Sequence, residues 1–365
     1  MGKIWGIPIG LHTSWFLFFL FLTWSLAIGY FPREFPQFPL ISNIVLAVVT
    51  NLFFFVSVLA HELGHSIIAI RNKIPVQGIT LFIFGGVAQI GHEPRTPGEE
   101  FRIAIAGPLV SLGLAGIFGG IWLITQNFPL LAAPGVYLMR INWILAIFNM
   151  IPGFPLDGGR VLRAIVWRYT NNFQRATQIA SFTGQVIAFG FIGYGVYVIF
   201  QGNLMNGLWM IFIGWFLQNA AASAYTQMNL RHAITGIKVS QVMSRECSEV
   251  PRLVSINQIV ENNVLQGGQR CFFICDQGKL NGMITLRDIT KLPQTKWRFT
   301  TAEQVMIPFE RLIYVDPDTE LLEALQIMDS EKIAQIPVVQ NNNLIGTLTR
   351  EQIIHYLRLR SELGI

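Results

Sequence analysis

The chain has 365 residues, of which 52% are hydrophobic and 13% are charged, and its net charge is +5. Because soluble domains carry about a quarter charged residues, this composition excludes an entirely soluble protein. The basic residues cluster at the ends of apolar segments, which is typical of membrane orientation and argues against a nucleic-acid partner. We predict a transmembrane domain over 1–228, a linker over 229–238 and a soluble domain over 239–365.

Apolar segments of about 20 residues are long enough to cross a bilayer as helices. We predict about six of them, near 11–30, 43–70, 101–124, 137–157, 181–200 and 205–226. Most basic residues fall on one side of these spans: Lys3, Arg71, Lys73, Arg95, Arg102, Arg160, Arg163, Arg168, Arg175, Arg231 and Lys238. Because basic loops stay cytoplasmic, we expect a multi-pass protein of the plasma or cell inner membrane. Its N-terminus and soluble domain should lie in the cytoplasm.

The second span carries the motif His-Glu-x-x-His, formed by His61, Glu62 and His65. Residues four apart share one face of a helix, so both imidazoles can bind one metal ion, and zinc suits imidazole nitrogen. Glu62 can then act as a general base on a metal-bound water. Two alternatives are haem bound between helices and a proton relay through Glu62 in a transporter.

The segment 78–92 is β-branched and aromatic around the pair Gly85-Gly86, which predicts a β-hairpin. It is too short to cross the membrane as a helix and too apolar for a solvated loop. We expect a re-entrant or interfacial hairpin, which is tolerated where it lines a cavity or packs on protein. The alternative is a hairpin that only plugs the helix bundle.

Asp157 lies in a second unusual stretch, "FNMIPGFPLDGGR" at 148–160, where prolines and glycines break an apolar segment. Unwound backbone at membrane depth must line a cavity or protein, and a carboxylate placed there is a natural third metal ligand. In the predicted topology, Asp157 lies at a depth similar to that of His61. We therefore predict that the two motifs form one site.

The soluble domain contains an internal repeat, over about 239–292 and 302–361. Val242-Met243 matches Val305-Met306, and Gly282 matches Gly346. Each copy is predicted to contain helices and two strands, so the domain should be an α/β pair of pseudo-symmetric repeats.

These motifs together resemble the site-2 protease family of intramembrane zinc metalloproteases, peptidase family M50, and its branch of sporulation-factor proteases. The resemblance rests on His-Glu-x-Gly-His, on N-x-x-P-x-x-P-L-D-G-G-R and on "RIAIAGPLVSL" at 102–112. It implies cleavage of a transmembrane segment of a protein substrate, with one zinc ion per chain. The implied zinc ligands are His61, His65 and Asp157, with Glu62 as the general base. The implied substrate-positioning residues are Asn149, Gly85 and Gly86, although Asn149 could simply cap the helix break.

The repeats resemble a tandem of CBS domains, a module that often binds adenine nucleotides such as ATP, ADP or AMP and that can form homodimers. The resemblance places Asp288 on the ribose, with Thr285 and Thr349 at matching positions. Gln352 replaces the aspartate in the second repeat, so at most one good site is implied. The alternative is a purely structural or dimerising pair.

Two other functions compete with the protease. One is a membrane transporter or channel gated by the CBS pair, which predicts ionisable residues spread along a path across the bilayer. The other is a catalytically idle family member that binds membrane proteins.

Overall fold

The computed structural model describes residues 2–363 apart from 84, 235, 246–247, 268–270 and 277–278. Two compact units make up the chain, Met1–Met228 and Asn229–Ile365. The predicted linker residue 235 and parts of the first predicted repeat lie outside the described residues.

The first unit begins with a small hairpin that the sequence analysis did not predict. Strands β1 (Lys3–Ile4) and β2 (Ile7–Leu11) are joined by Trp5 and Gly6, which both have positive φ angles, 49° and 82°. Two such residues in a row match the twist of a hairpin. The chain then enters helix α1 (Thr13–Ser25), one π-helical segment and the short helix α2 (Phe31–Glu34).

Helix α3 (Leu40–Arg71) is the longest in this part of the chain and is followed by strands β3 (Val76–Phe82) and β4 (Gly85–Ile90). β3 and β4 pair antiparallel where a hairpin was predicted, but Gly85 and Gly86, the predicted centre of the hairpin, are the first residues of β4 and pair with Phe82 and Leu81. Residue 84 lies outside the described residues. β2 pairs parallel with β3, so the sheet order is β1-β2-β3-β4. Buried apolar residues of β2 and β3 pack on those of α3, which fixes the sheet beside this helix: Ile7, Val58, Leu63, Ile79 and Leu81.

The remaining helices of this unit are α4 (Pro97–Thr125), α5 (Pro129–Asn149), α6 (Asp157–Thr170), α7 (Phe173–Phe200) and α8 (Leu204–Ile234). Glycines allow close approach between them. A Cβ atom on Gly64 of α3 would lie 2.9 Å from a methyl group of Val110 on α4, and one on Gly184 of α7 would overlap the backbone at Phe154.

Five described helical segments are long and apolar enough to cross a membrane: Thr13–Glu34, Leu40–Arg71, Pro97–Thr125, Pro129–Asn149 and Phe173–Phe200. Helix α8 covers the sixth predicted span, whose membrane crossing stays a prediction. The predicted boundaries of the fourth span, 137–157, were wrong, because α5 already begins at Pro129 and ends at Asn149. Asp157 is instead the first residue of the separate helix α6.

The second unit is an α/β structure in which each repeat supplies helices and a strand pair. Its elements are β5 (Glu249–Val250), α9 (Ile256–Gln258), β6 (Cys271–Asp276), β7 (Lys279–Thr285), α10 (Leu286–Thr290), α11 (Ala302–Val305), β8 (Ile307–Pro308), α12 (Leu321–Ser330), β9 (Gln335–Gln340), β10 (Asn343–Thr349) and α13 (Arg350–Leu363). The strand order is β5-β6-β7-β10-β9, with β8 on β7.

The two repeats contact each other reciprocally. Met306 of the second repeat lies over Gly282 of the first, where a Cβ atom would be 2.7 Å from the methionine sulfur. Met243 of the first repeat lies in the same way over Gly346 of the second, at 2.9 Å. The residues that the sequence analysis matched between repeats therefore occupy equivalent places in the structure.

Candidate metal centre

Helix α3 brings His61 and His65 together on one face, because they are four residues apart. Both are buried, and their Nε2 atoms are 3.2 Å apart. Two nitrogens that both face one point at this distance are suited to sharing a metal ion.

Asp157 supplies a third atom from a different helix. Its Oδ2 lies 3.1 Å from Nε2 of His61 and 3.2 Å from Nε2 of His65. Ligands 2.0–2.1 Å from a tetrahedral zinc ion are separated by about 3.3 Å, so the observed triangle fits such an ion closely. Among the described residues this is the cluster that could hold a metal.

Helix α4 orients both imidazoles through contacts with their Nδ1 atoms. Nδ1 of His65 donates to the backbone carbonyl of Ile103 at 2.6 Å, and Nδ1 of His61 lies 2.9 Å from Oγ of Ser111. A carbonyl can only accept, so His65 carries its proton on Nδ1 and presents a lone pair on Nε2. Such outer contacts usually fix the tautomer of metal-binding histidines. The sequence analysis did not single out Ser111 or Ile103 for this role, although both lie in the 102–112 segment.

Gly107 of α4 forms the wall against which the two rings rest. A Cβ atom at this position would overlap Nε2 of His65 and lie 2.6 Å from Nε2 of His61. No other residue type leaves room for both nitrogens in their observed positions.

Gly107→Ala changes no ligand, but its Cβ would displace both ligand nitrogens, so we expect it to weaken zinc binding by at least the roughly 10- to 100-fold of an outer-shell change. The matched control is Gly113→Ala on the same helix, where an added Cβ meets nothing within 4 Å. Zinc titration of both purified variants is the measurement. Equal affinities for the two variants would contradict the geometry.

The non-helical segment 150–156, which comes directly before α6, holds Asp157 in place by close backbone packing. A Cβ atom on Gly158 would overlap the carbonyl oxygens of Met150 and Ile151, and one on Gly159 would overlap the backbone of Gly153. The glycines of the predicted motif therefore allow 150–156 to fold directly over the start of α6. The position of the carboxylate follows from this packing.

Glu62 faces the hairpin. A Cβ atom on Gly86 of β4 would lie 2.5 Å from Cγ of Glu62, so only glycine fits there. Gly85 has a φ angle of +128°, which also favours glycine, but it is open to space. The hairpin thus borders the proposed base through Gly86.

Asn149 lies at the end of α5, and its side-chain amide donates to the carbonyl of Leu145 at 3.0 Å. This is a bond back to the preceding turn of the same helix and does not decide between a capping role and substrate positioning. A role in substrate positioning stays a prediction.

In the second unit, Asp288 accepts hydrogen bonds from the Thr285 hydroxyl at 2.6 Å and from the Lys291 ammonium at 2.9 Å. Burial raises the pKa of Asp288, but the hydrogen bonds from Thr285 and Lys291 outweigh it and hold the pKa below its usual range. The carboxylate is therefore ionised at neutral pH and already paired. Thr349 accepts from the Gln352 backbone at 3.1 Å, so it caps α13.

Known proteins match the chain along most of its length. The sequence model of peptidase family M50 matches 49–136 and 130–191, and that of the CBS domain matches 302–359. A protein of Synechocystis sp., named as a candidate zinc metalloprotease, is 33% identical over 98% of this chain and 95% of its own. A zinc metalloprotease of Methanocaldococcus jannaschii is 30% identical over 99% and 97%. The solved site-2 protease of that organism is 31% identical over 62% of this chain and 94% of its own, with a TM-score of 0.42.

Two helices that bring a His-Glu-x-x-His motif together with a carboxylate as the third ligand define a metallopeptidase-type centre. The full-length similarity makes the assignment specific. The chain belongs to peptidase family M50, the site-2 proteases, and is an integral membrane protein with a C-terminal CBS domain.

Proposed function

We propose that this protein is an intramembrane zinc endopeptidase that cleaves transmembrane segments of other membrane proteins. The observation that carries the proposal is the triangle of His61 Nε2, His65 Nε2 and Asp157 Oδ2, with sides of 3.1–3.2 Å. The two histidines and Glu62 lie on α3, an apolar helix that is long enough to cross a membrane.

Each residue of the centre has a separate chemical task. His61, His65 and Asp157 would hold the zinc ion, which when bound polarises a carbonyl group and acidifies a water molecule. Ser111 and Ile103 keep both imidazoles turned toward the ion. Glu62 takes a proton from the attacking water and passes it to the nitrogen of the leaving amine, which completes hydrolysis of the peptide bond.

The hairpin supports a proposal for substrate binding. β4 is the last strand in the order β1-β2-β3-β4, so one edge of it is unpaired within the sheet. A substrate helix shields its peptide bonds until it unwinds, and an unwound segment at membrane depth needs hydrogen-bond partners. We propose that it pairs with β4 near Gly85 and Gly86, with Asn149 assisting its placement.

We also propose that 1–228 forms the membrane protease domain, 229–238 a linker and 239–365 a cytoplasmic CBS pair. The CBS pair would regulate the protease or gate substrate entry, through an adenine nucleotide at Asp288, Thr285 and Thr349 or through a homodimer. The Lys291 ammonium donates a hydrogen bond to the Asp288 carboxylate, so a ribose would have to displace Lys291 or bind beside it.

The transporter alternative is less well supported by the placement of charge. In the described part of the first unit, the buried ionisable side chains are His61, His65, Glu100 and Arg163. They gather around one end of α3 and α4 instead of spreading along the spans. The idle-member alternative is disfavoured because the base Glu62 is present beside the complete ligand triangle.

Zinc analysis combined with a cleavage assay tests the proposal. We expect one zinc ion per purified chain, and cleavage of a reconstituted transmembrane substrate that a chelator abolishes and zinc restores. A transporter would show neither result. An idle member would bind zinc without cleavage.

A further inference from the structure

A buried ion pair joins α4 to α6 close to the metal centre. Glu100 is 0% exposed and Arg163 is 8% exposed. Nε of Arg163 donates to Oε1 of Glu100 at 2.7 Å, and Nη2 donates to the same oxygen. Neither residue belongs to the ligands or the base, so the pair needs an explanation of its own.

Three further side chains surround the ion pair, two beside the Arg163 guanidinium and one beside the Glu100 carboxylate. It lies 5.0 Å from the ring centre of Phe154 and 4.7 Å from that of Phe173. Nε of Arg160 lies 4.0 Å from Oε1 of Glu100. The break before α6, α6 itself and the start of α7 therefore all meet around one carboxylate of α4.

Net stability is a poor explanation for this arrangement. The desolvation of two buried charges commonly cancels their attraction, and apolar replacements are often neutral or stabilising. Oε2 of Glu100 is also buried without a hydrogen-bond partner among the described residues, which adds a cost. The best-attested use of such a pair is to fix the register between two elements.

The ion pair fixes the position of α6 relative to α4, and both helices contribute to the metal centre. Glu100 lies three residues before Ile103, which accepts the hydrogen bond from His65. Arg163 lies six residues after Asp157, or about 9 Å along the helix. Because both residues are on the two helices themselves, a slide of α6 along α4 would move Asp157 away from the histidines and also separate the pair.

We infer that Glu100 and Arg163 are positioning residues that lock α6 against α4 and so place the Asp157 carboxylate between the two histidines. This inference rests on the proposed zinc site. It assigns the pair to the affinity and geometry of the metal, not to the overall stability of the fold.

Three variants separate these roles: Glu100→Gln, Arg163→Met and the double variant. Each single variant leaves one charge of the buried pair without its hydrogen-bonded partner, so it should lower the thermal midpoint and weaken zinc binding by about 10- to 100-fold. The double variant removes both charges of the pair, and the nearby Arg160 is 20% exposed and stays in contact with solvent, so its midpoint should recover. It should not regain zinc affinity, because the lock is gone, and cobalt(II) bound in place of zinc should show altered visible absorption bands.

Two controls accompany these variants. Asn51→Leu removes a buried contact of α3 with α1, in which the amide donates to Phe19 and Thr23 at 2.8 Å. It should lower the midpoint with zinc affinity unchanged. Arg163→Lys keeps the charge but loses the fork of donors, so it should also weaken zinc binding. It provides the test if the other single variants do not fold.

The outcomes are distinguishable. A double variant with wild-type zinc affinity and a wild-type cobalt spectrum would overturn the inference and leave the pair purely structural. A wild-type protein that binds no zinc would instead reject the proposed function itself.

Discussion

Asp157→Asn is expected to abolish stoichiometric zinc binding, and cleavage with it. The substitution keeps the size of the side chain and removes the anionic oxygen that lies 3.1 Å and 3.2 Å from the two histidine nitrogens. Two imidazoles from one turn of a helix remain, which is fewer than the three protein ligands of catalytic zinc sites. The loss of affinity should exceed the roughly 10- to 100-fold effect of an outer-shell change.

Metal analysis of the purified variant and competition against a chelator measure this loss. The matched control is Glu34→Gln, which removes a carboxylate of the same unit that is 48% exposed and 3.9 Å from Arg140. Exposed pairs of this kind contribute little, so this control should keep zinc and activity. Full zinc occupancy in Asp157→Asn would remove Asp157 from the ligand set.

The sequence could predict much of the centre because helix periodicity is local. The spacing of His61 and His65 alone places them on one face of α3. Asp157 could be added because a carboxylate after a proline- and glycine-rich break at membrane depth requires a polar partner. Each of these inferences needs only the residues of one segment and an estimate of its depth.

The remaining features depend on contacts that have no local signal. The carbonyl of Ile103 orients His65, but every residue has a carbonyl. Arg163 was counted among the cytoplasmic loop charges, whereas it is buried against Glu100, 63 residues away. Apolar composition also did not indicate where α5 begins and ends, because the residues just outside this helix are as apolar as those within it.

The N-terminal hairpin was missed for a related reason. Residues 3–11 form a short apolar segment directly before the first predicted span, 11–30, and no strand was predicted there. β1 and β2 pair antiparallel with each other, and β2 also pairs in parallel with β3, where Ile9 lies opposite Ile79, 70 positions further on. The consequence for function is that the hairpin beside Glu62 belongs to a four-stranded sheet, which gives β4 a firm support for pairing with a substrate.

Glu62→Gln is expected to remove cleavage while zinc binding stays near its wild-type level. The amide has the shape of the carboxylate but cannot take a proton from water, and general-base catalysis contributes about 10²- to 10⁴-fold. The zinc ligands are on other residues, and the contact of Glu62 with Gly86 depends on shape, so the centre should still form.

A cleavage assay at saturating zinc, paired with metal analysis, measures the separation of the two properties. Glu34→Gln again serves as the control for a lost carboxylate in the same unit. Because the inactive variant should still bind its substrate, crosslinking in membranes should recover uncleaved membrane proteins on Glu62→Gln and fewer on Asp157→Asn, whose centre lacks the metal that engages the scissile carbonyl. Wild-type turnover by Glu62→Gln would exclude Glu62 as the base, whereas loss of zinc in this variant would mean that it supports the metal and not the proton transfer.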